Sequence, residues 1–340
     1  MIYAIGKLVK GHDLSEAEAA QAMELILAGD ATPVQIAGFM IALRIKGETA
    51  EEITGLAKTA RLHALPLEPR PGLLDTCGTG GDSLGTFNIS TLSAIVAASC
   101  GATVAKHGNR AASSQCGSAD VLEALGVKID LGADGVGRCL DEAGIAFCFA
   151  PVFHAGFRYA GIPRRELGVR TFFNILGPLC NPAGARRQAL GVADGSLAER
   201  MAEVLERLGV EKALVFHGGD GMDELTTTGP SQVIEVGAGG RRKYVVEPAE
   251  LGFSKARLED LQGGGPEENA AIAMAVLDGA EGPKRDVVLL NSAAALIAAG
   301  LAGDFHEGIG VAVEALDSGR AGEVLDRWAK VSRAVPATGG

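Results

Sequence analysis

From about Leu73 onward the chain alternates short apolar runs with stretches of helical periodicity, and this rhythm narrows the fold more than any other feature. Strands are predicted at 73–76, 103–106, 145–149, 188–192, 213–216 and 233–236. Helices are predicted between them at 90–100, 119–125, 133–143 and 197–208. Parallel neighbours need a crossover connection, so strands that alternate with helices imply a mostly parallel sheet covered on its faces. The expected fold class is therefore α/β, with this large domain spanning 70–340. Its C-terminal part reads as mainly helical, for example at 287–299 and 321–332.

Residues 1–65 follow another rule. Ser15 precedes Glu18, Thr32 precedes Pro33 and Gln35, and Thr49 precedes Glu52. Each spacing is that of a capping box, in which a hydroxyl and the residue three positions on satisfy N–H groups that a helix start leaves open. Gly29 and Gly47 follow as helix ends. The expectation is a small all-helical N-terminal domain with Leu25, Ile36, Met40, Leu43 and Ile53 to bury. A unit of that size gains by docking on the main domain or on a second subunit.

The net charge is −11, which disfavours nucleic acid and anionic membranes as partners. Any anion must then be held by local devices. Six cysteines without a C-x-x-C pair fit small buried hydrophobes in a reducing compartment better than a disulfide or zinc framework. The N-terminus lacks a signal-peptide pattern, and the charge-free stretch 291–303 is shorter than the ~20 residues of a membrane span. A soluble, cytoplasmic protein is expected.

Three segments supply the local devices. Asp75-Thr76-Cys77-Gly78-Thr79-Gly80-Gly81-Asp82 follows the first strand, and its glycines permit a turn whose N–H groups face inward onto anionic oxygens. It matches neither a Walker A loop nor the dinucleotide G-x-G-x-x-G spacing. Thr86-Phe87-Asn88-Ile89-Ser90-Thr91 then opens a helix, a second place for an anion, with Ser90 as the expected cap. Lys106-His107-Gly108-Asn109-Arg110 ends the next strand and would reach the same carboxyl edge, although a solvated turn has the same composition. Ser113 and Ser114 add hydroxyls. Asp223-Glu224 follows the strand at 213–216. Adjacent acids beside a phosphate call for a cation, and Mg²⁺ is the hard, oxygen-liganded choice; Asp223, Glu224 and the Ser90 hydroxyl are its candidate ligands. Should the site also take a carboxylate, Arg158, Arg164, Arg165 and Arg170 all compete to hold it.

The order and spacing of these segments resemble the anthranilate phosphoribosyltransferase family over nearly the whole chain. The resemblance also covers Gly117-Ser118-Ala119-Asp120, Arg164-Arg165-Glu166-Leu167-Gly168 and Asn174-Ile175-Leu176-Gly177-Pro178-Leu179. It implies a nucleoside phosphorylase/phosphoribosyltransferase-like fold, with a helical segment near 165–185 joining the two domains. It implies a homodimer formed through the helical domain, and transfer of the phosphoribosyl group of 5-phosphoribosyl 1-pyrophosphate to the amine of anthranilate in tryptophan biosynthesis. Residue by residue, the donor site implied is Gly78, Gly81, Asp82, Thr86, Asn88, Ile89, Ser90, Thr91, Lys106, His107, Gly108, Asn109, Arg110, Ala111, Ala112, Ser113, Ser114 and Ser118. Ser90, Asp223 and Glu224 are the implied Mg²⁺ ligands. Gly78, Asn109 and Arg164 are implied at anthranilate, with His107, His154, Arg158 and Arg165 nearby. Lys106, Asn109 and Arg164 are the candidate catalytic residues. Two rivals remain: a pyrimidine nucleoside phosphorylase-like enzyme, and a non-catalytic paralogue that binds nucleic acid.

Overall fold

A computed structural model describes residues 1–111 and 115–335 of the chain. The N-terminal part holds four helices: α1 (Ile2–Leu8), α2 (Glu16–Leu27), α3 (Pro33–Lys46) and α4 (Ala50–Leu62). All three expected capping boxes form, at Ser15/Glu18, Thr32/Gln35 and Thr49/Glu52. Helix α1 is an addition, since no cap marks it: Met1 makes no side-chain cap bond. Glu52 does more than cap. It is fully buried, accepts the N–H of Leu14 at 2.9 Å and of Thr49 at 2.8 Å, and pairs with Lys46 at 2.7 Å. One carboxylate thus ties α3, α4 and the turn before α2, which is how a buried charge becomes tolerable.

The remainder contains β1 (Leu74–Gly78), α5 (Ile89–Ser99), β2 (Val104–Gly108), α6 (Ser118–Ala124), α7 (Ala133–Ala143), β3 (Ile145–Phe149), α8 (Ala150–Phe153), α9 (Arg158–Leu167), α10 (Phe172–Leu176), β4 (Arg187–Gly191), α11 (Ala198–Arg207), β5 (Lys212–Gly218), β6 (Ser231–Gly237) and β7 (Gly240–Val246). Helices α12 (Pro266–Leu277), α13 (Pro283–Ala299), α14 (Phe305–Asp317) and α15 (Arg320–Ala334) complete it. Among the described residues the sheet has seven strands in the order β3-β2-β1-β4-β5-β6-β7. Pairing is parallel from β3 through β5 and antiparallel for β6 and β7. All six expected strands are present. The seventh, β7, was not expected because Arg241, Arg242 and Lys243 break its apolar pattern. Those charges suit an edge, where they deter pairing with another chain.

Alternation along the strands divides the core. Ala189, Leu214, Phe216 and Val233 pack with α5, α13 and α15 on one face. Leu190, Ala213, Val215 and Ile234 point the other way, into one apolar cluster with α2–α4, α10 and α11. The helical bundle therefore shares its core with the sheet, and Phe39 meets Phe172 of α10 at 5.7 Å. Among the described residues no helix is long and apolar enough to cross a membrane.

The chain lays β1, β2 and β3 outward on one side, then returns to place β4 on the other side of β1. A crevice opens where the order reverses, outside the carboxyl ends of β1 and β4, and open α/β sheets bind ligands there.

Candidate active site

The loops that follow β1, β2 and β5 all leave from this carboxyl edge. The β5 loop is pinned before it reaches the site. Asp220 accepts the hydroxyls of Thr226 and Thr228, each at 2.7 Å, and Asn291 of α13 holds both polar groups of the Leu225 backbone at 2.9 and 2.8 Å. Asp223 is thereby pressed onto the neighbouring strand ends. A Cβ at Gly191 would lie 1.7 Å from the Asp223 carbonyl oxygen, and one at Gly78 would lie 2.1 Å from its Oδ2. Both positions must be glycine for this packing.

Asp223 Oδ2 accepts the Gly80 N–H at 2.6 Å, and Glu224 Oε1 accepts the Ser90 N–H at 3.0 Å. Here the expectation for α5 needs correction. The helix starts at Ile89, its cap is Asn88 rather than Ser90, and the Asn88 side chain makes no cap bond. The Glu224 carboxylate occupies the open helix end instead, as the partial positive charge there favours. Both carboxyls are pushed well above their ordinary range, first by burial, with Asp82 adding repulsion at Asp223 and Asp223 adding it at Glu224. Asp82 Oδ1 accepts the Leu84 N–H at 3.2 Å, while its buried Oδ2 has no protein partner among the described residues. Three acids crowded in this way are short of positive charge.

Lys106 is 2% exposed. Its Nζ donates to Thr76 O at 2.5 Å and Ser90 Oγ at 3.3 Å, so the ammonium lies between β1 and the start of α5. Burial lowers its pKa, and Asp75, Cys77, Glu224 and Asp223 oppose that shift. Asp75, fully buried beneath it, accepts the His107 N–H at 3.1 Å. The His107 ring donates from Nδ1 to Gly177 O at 3.1 Å, which leaves Nε2 as a buried acceptor. Its pKa falls to about 3, through burial and then His154, so the ring is neutral at physiological pH. His154 donates to Cys180 O at 2.8 Å and stacks on Phe157.

The remaining candidates divide clearly. Gly108 and Ser118 touch, since a Cβ on Gly108 would meet Ser118 Oγ at 2.3 Å, and that hydroxyl donates to Asn109 O. Asp120 holds both ends of the loop by accepting from Ala111 and Gly117 N–H, each at 2.9 Å. Arg110 is engaged by Asp120 and Glu123 on α6. Ile89 is a core side chain and offers only its backbone, Thr91 is buried behind it, and Thr86 bridges to Gln262. Ala112, Ser113 and Ser114 lie outside the described residues. Among the described residues no three His, Cys, Asp or Glu side chains form a ready-made metal cage.

The four arginines separate by their partners. Arg158 stacks over Tyr159 and donates to its hydroxyl, and Arg165 is exposed. Arg170 donates to Gly81 O at 2.8 Å and Gly80 O at 2.9 Å, turning the loop carbonyls away from its N–H face. Arg164 is half-buried over the Phe173 ring at 5.1 Å and has no ion-pair partner among the described residues. Burial lowers its pKa, yet a guanidinium stays charged, so it is open to an incoming carboxylate. Asn291 and the loop-clamping roles of Asp120 and Arg170 carried no sequence signal.

Fold and site together define a glycosyl transferase. The profile described as glycosyl transferase family, helical bundle domain, matches residues 2–64, and that described as glycosyl transferase family, a/b domain, matches residues 70–322. An anthranilate phosphoribosyltransferase 2 from Streptomyces coelicolor is 58% identical, over 94% of this chain and 96% of that protein. The crystal structure of anthranilate phosphoribosyltransferase from Thermus thermophilus superposes with a TM-score of 0.92 at 48% identity, covering 97% and 99% of the two chains. The Saccharomyces cerevisiae enzyme in complex with PRPP and Mg gives 0.90 at 28%, covering 98% of each. The chain belongs to the anthranilate phosphoribosyltransferase family.

Arg170→Ala should remove two charge-assisted bonds from the glycine loop. The expected result is a rise of about tenfold in KM for the phosphorylated substrate, with that for the second substrate little changed. Steady-state kinetics checks this, and equal KM values for variant and parent would contradict the clamp.

Proposed function

We infer that this chain transfers the phosphoribosyl group of 5-phosphoribosyl 1-pyrophosphate to the amine of anthranilate, giving N-(5-phosphoribosyl)anthranilate and pyrophosphate in tryptophan biosynthesis. One observation carries the reading: a glycine loop, the buried cation Lys106 and the acid pair Asp223-Glu224 meet at a single sheet edge, with Arg164 of α9 lacking an ion-pair partner among the described residues. In the transfer the C1–O bond to pyrophosphate breaks, a C1–N bond forms, and the amine proton passes to solvent. The loop N–H groups and Lys106 stabilise charge gathering on the leaving pyrophosphate. Fixed donors of this kind act without reorganising during the reaction. Arg164 takes the anthranilate carboxylate and Asn109 faces the ring, an orienting contribution. Anthranilate's amine is already nucleophilic, so no general base is required.

The crowded acids fit a divalent cation. Mg²⁺ would be held by Asp223 and Glu224, with the Ser90 hydroxyl beside them and donor phosphates completing its shell, and would neutralise the leaving group. This accords with the incomplete protein cage, because Mg²⁺ commonly takes one or two carboxylates plus phosphate. A nucleoside phosphorylase has no use for this pair, and the net charge of −11 disfavours a nucleic-acid-binding role. The domain division at 1–65 and 70–340, with 165–185 as the joining segment, and the cytoplasmic location belong to the same reading. So does a homodimer formed through the helical bundle, supported by the exposed Ile2, Tyr3, Val9 and Val34.

Three measurements test these points. Asp223→Asn combined with Glu224→Gln should abolish turnover or shift its Mg²⁺ dependence upward at least tenfold; an unchanged Mg²⁺ titration in the anthranilate fluorescence-loss assay would refute the metal assignment. Arg164→Ala should raise the anthranilate KM by about tenfold or more, as loss of a charged hydrogen bond implies; a change confined to the donor would place the acceptor elsewhere. Light scattering should give twice the chain mass for the parent and a smaller species for Tyr3→Glu with Val34→Glu, whereas a monomeric parent at micromolar concentration would overturn the dimer.

A further inference from the structure

Asn88 stands where asparagine ordinarily caps its own helix by accepting the N–H of the second or third residue. It does not do so here: the Asn88 side chain makes no cap bond, and the Ser90 N–H is left for the Glu224 carboxylate. The reason lies far along the chain. Asn269, on the first turn of α12 and 2% exposed, accepts the Gly264 N–H at 2.8 Å through Oδ1 and donates from Nδ2 to Asn88 Oδ1 at 2.9 Å. Asn88 Nδ2 in turn donates to Cys116 O at 3.2 Å.

This chain of bonds has a defined direction. It begins at a backbone N–H, which can only donate, and ends at a backbone carbonyl, which can only accept. Both amides in between are therefore fixed in one orientation, without the usual ambiguity of an amide flip. Three segments are tied together: the turn before α12, the start of α5 and the end of the β2 loop. The turn is itself seated on the loop by Gly263 N–H to Gly85 O at 2.9 Å and Phe87 N–H to Leu261 O at 3.3 Å. Gly263 has no room for a side chain, since a Cβ would lie 2.3 Å from Asn269 Oδ1.

We propose that Asn269 is a positioning residue for the donor site: it withholds the Asn88 amide from capping α5, so that the helix N-terminus stays open to an anionic group. The inference rests on the reading of α5 as part of the phosphoribosyl pyrophosphate site. Asn269 touches no reacting atom; beside Asn88 it holds the Gly264 N–H and meets the Cys116 thiol, at the two ends of the same chain of bonds.

Asn269→Asp is nearly isosteric and still accepts the Gly264 N–H, but it faces the Asn88 oxygen with a second acceptor. Asn88 then turns, loses Cys116 O and becomes free to cap α5. The expected result is a KM for phosphoribosyl pyrophosphate raised about tenfold, an anthranilate KM at saturating donor within twofold of the parent, and no further rise in donor KM when the change is made in an Asn88→Ala background. Should the carboxylate disturb folding, as thermal unfolding would report, Asn269→Ala also releases Asn88 and carries the same expectation. A donor KM equal to that of the parent overturns the proposal, as do equal effects on both substrates or additivity with Asn88→Ala. If Ser90→Ala, at the same helix end, leaves the donor KM unchanged, the placement of the donor at α5 fails and the proposal with it. If Ser90→Ala raises that KM while both Asn269 variants are silent, the proposal alone fails.

Discussion

The site depends on the close approach of the β5 loop to the ends of β1 and β4. Asp223 fits only because Gly78 and Gly191 present bare backbone, and its main chain is held there by Asp220 on one side and Asn291 on the other. Once seated, the loop delivers two carboxylates to a place already occupied by peptide N–H groups and a lysine. Burial in that place pushes both carboxyls up, and the pair joins Asp75 and Cys77 in opposing the fall that burial imposes on Lys106. Moving the loop back by the width of a methyl group would separate these acids from the helix end and from Lys106.

An acidic protein that binds a heavily charged anion faces an electrostatic contradiction, and this arrangement resolves it locally. Buried acids repel one another and the ligand; buried N–H groups and Lys106 attract both. Glu224 satisfies the α5 terminus and Asp223 satisfies Gly80, so each carboxylate answers an N–H donor of the site. A divalent cation, as proposed for this site, would offset the charge of both carboxylates beside those donors. On that proposal the acid pair suits the anion site as a partner of the cation.

Much of this was legible in the sequence wherever the determining contacts are short in range. The boxes at Ser15, Thr32 and Thr49 close across three residues, and the α/β alternation is a property of successive segments. The other six strands, the edge strand β3 included, announce themselves because most of their side chains are buried. β7 does not, because an edge strand with Arg241, Arg242 and Lys243 can bury only part of one face. The candidate loops were readable from glycines and charges, but how they are held was not. Asn88 and Ser90 are equally good capping residues by local chemistry, yet Asn88 occupies the cap and surrenders its side chain to Asn269, a contact that local pattern cannot reveal.

The arginines of the linker make the same point in reverse. Arg158, Arg164, Arg165 and Arg170 are equivalent as letters, and composition cannot choose among them. What separates them is what the fold has already given each as a partner. Arg158 has Tyr159, Arg170 has two loop carbonyls, and Arg165 faces solvent. Arg164 is sheltered against Phe173 with nothing of opposite charge beside it among the described residues. A guanidinium cannot shed its proton to escape burial, so a sheltered one without a partner stores an unmet demand for an anion. An aromatic acid meets both parts of that demand, offering a carboxylate to the cation and a flat ring to an apolar wall. On the proposed reading, its place in the site would follow from where the described residues leave a charge unanswered.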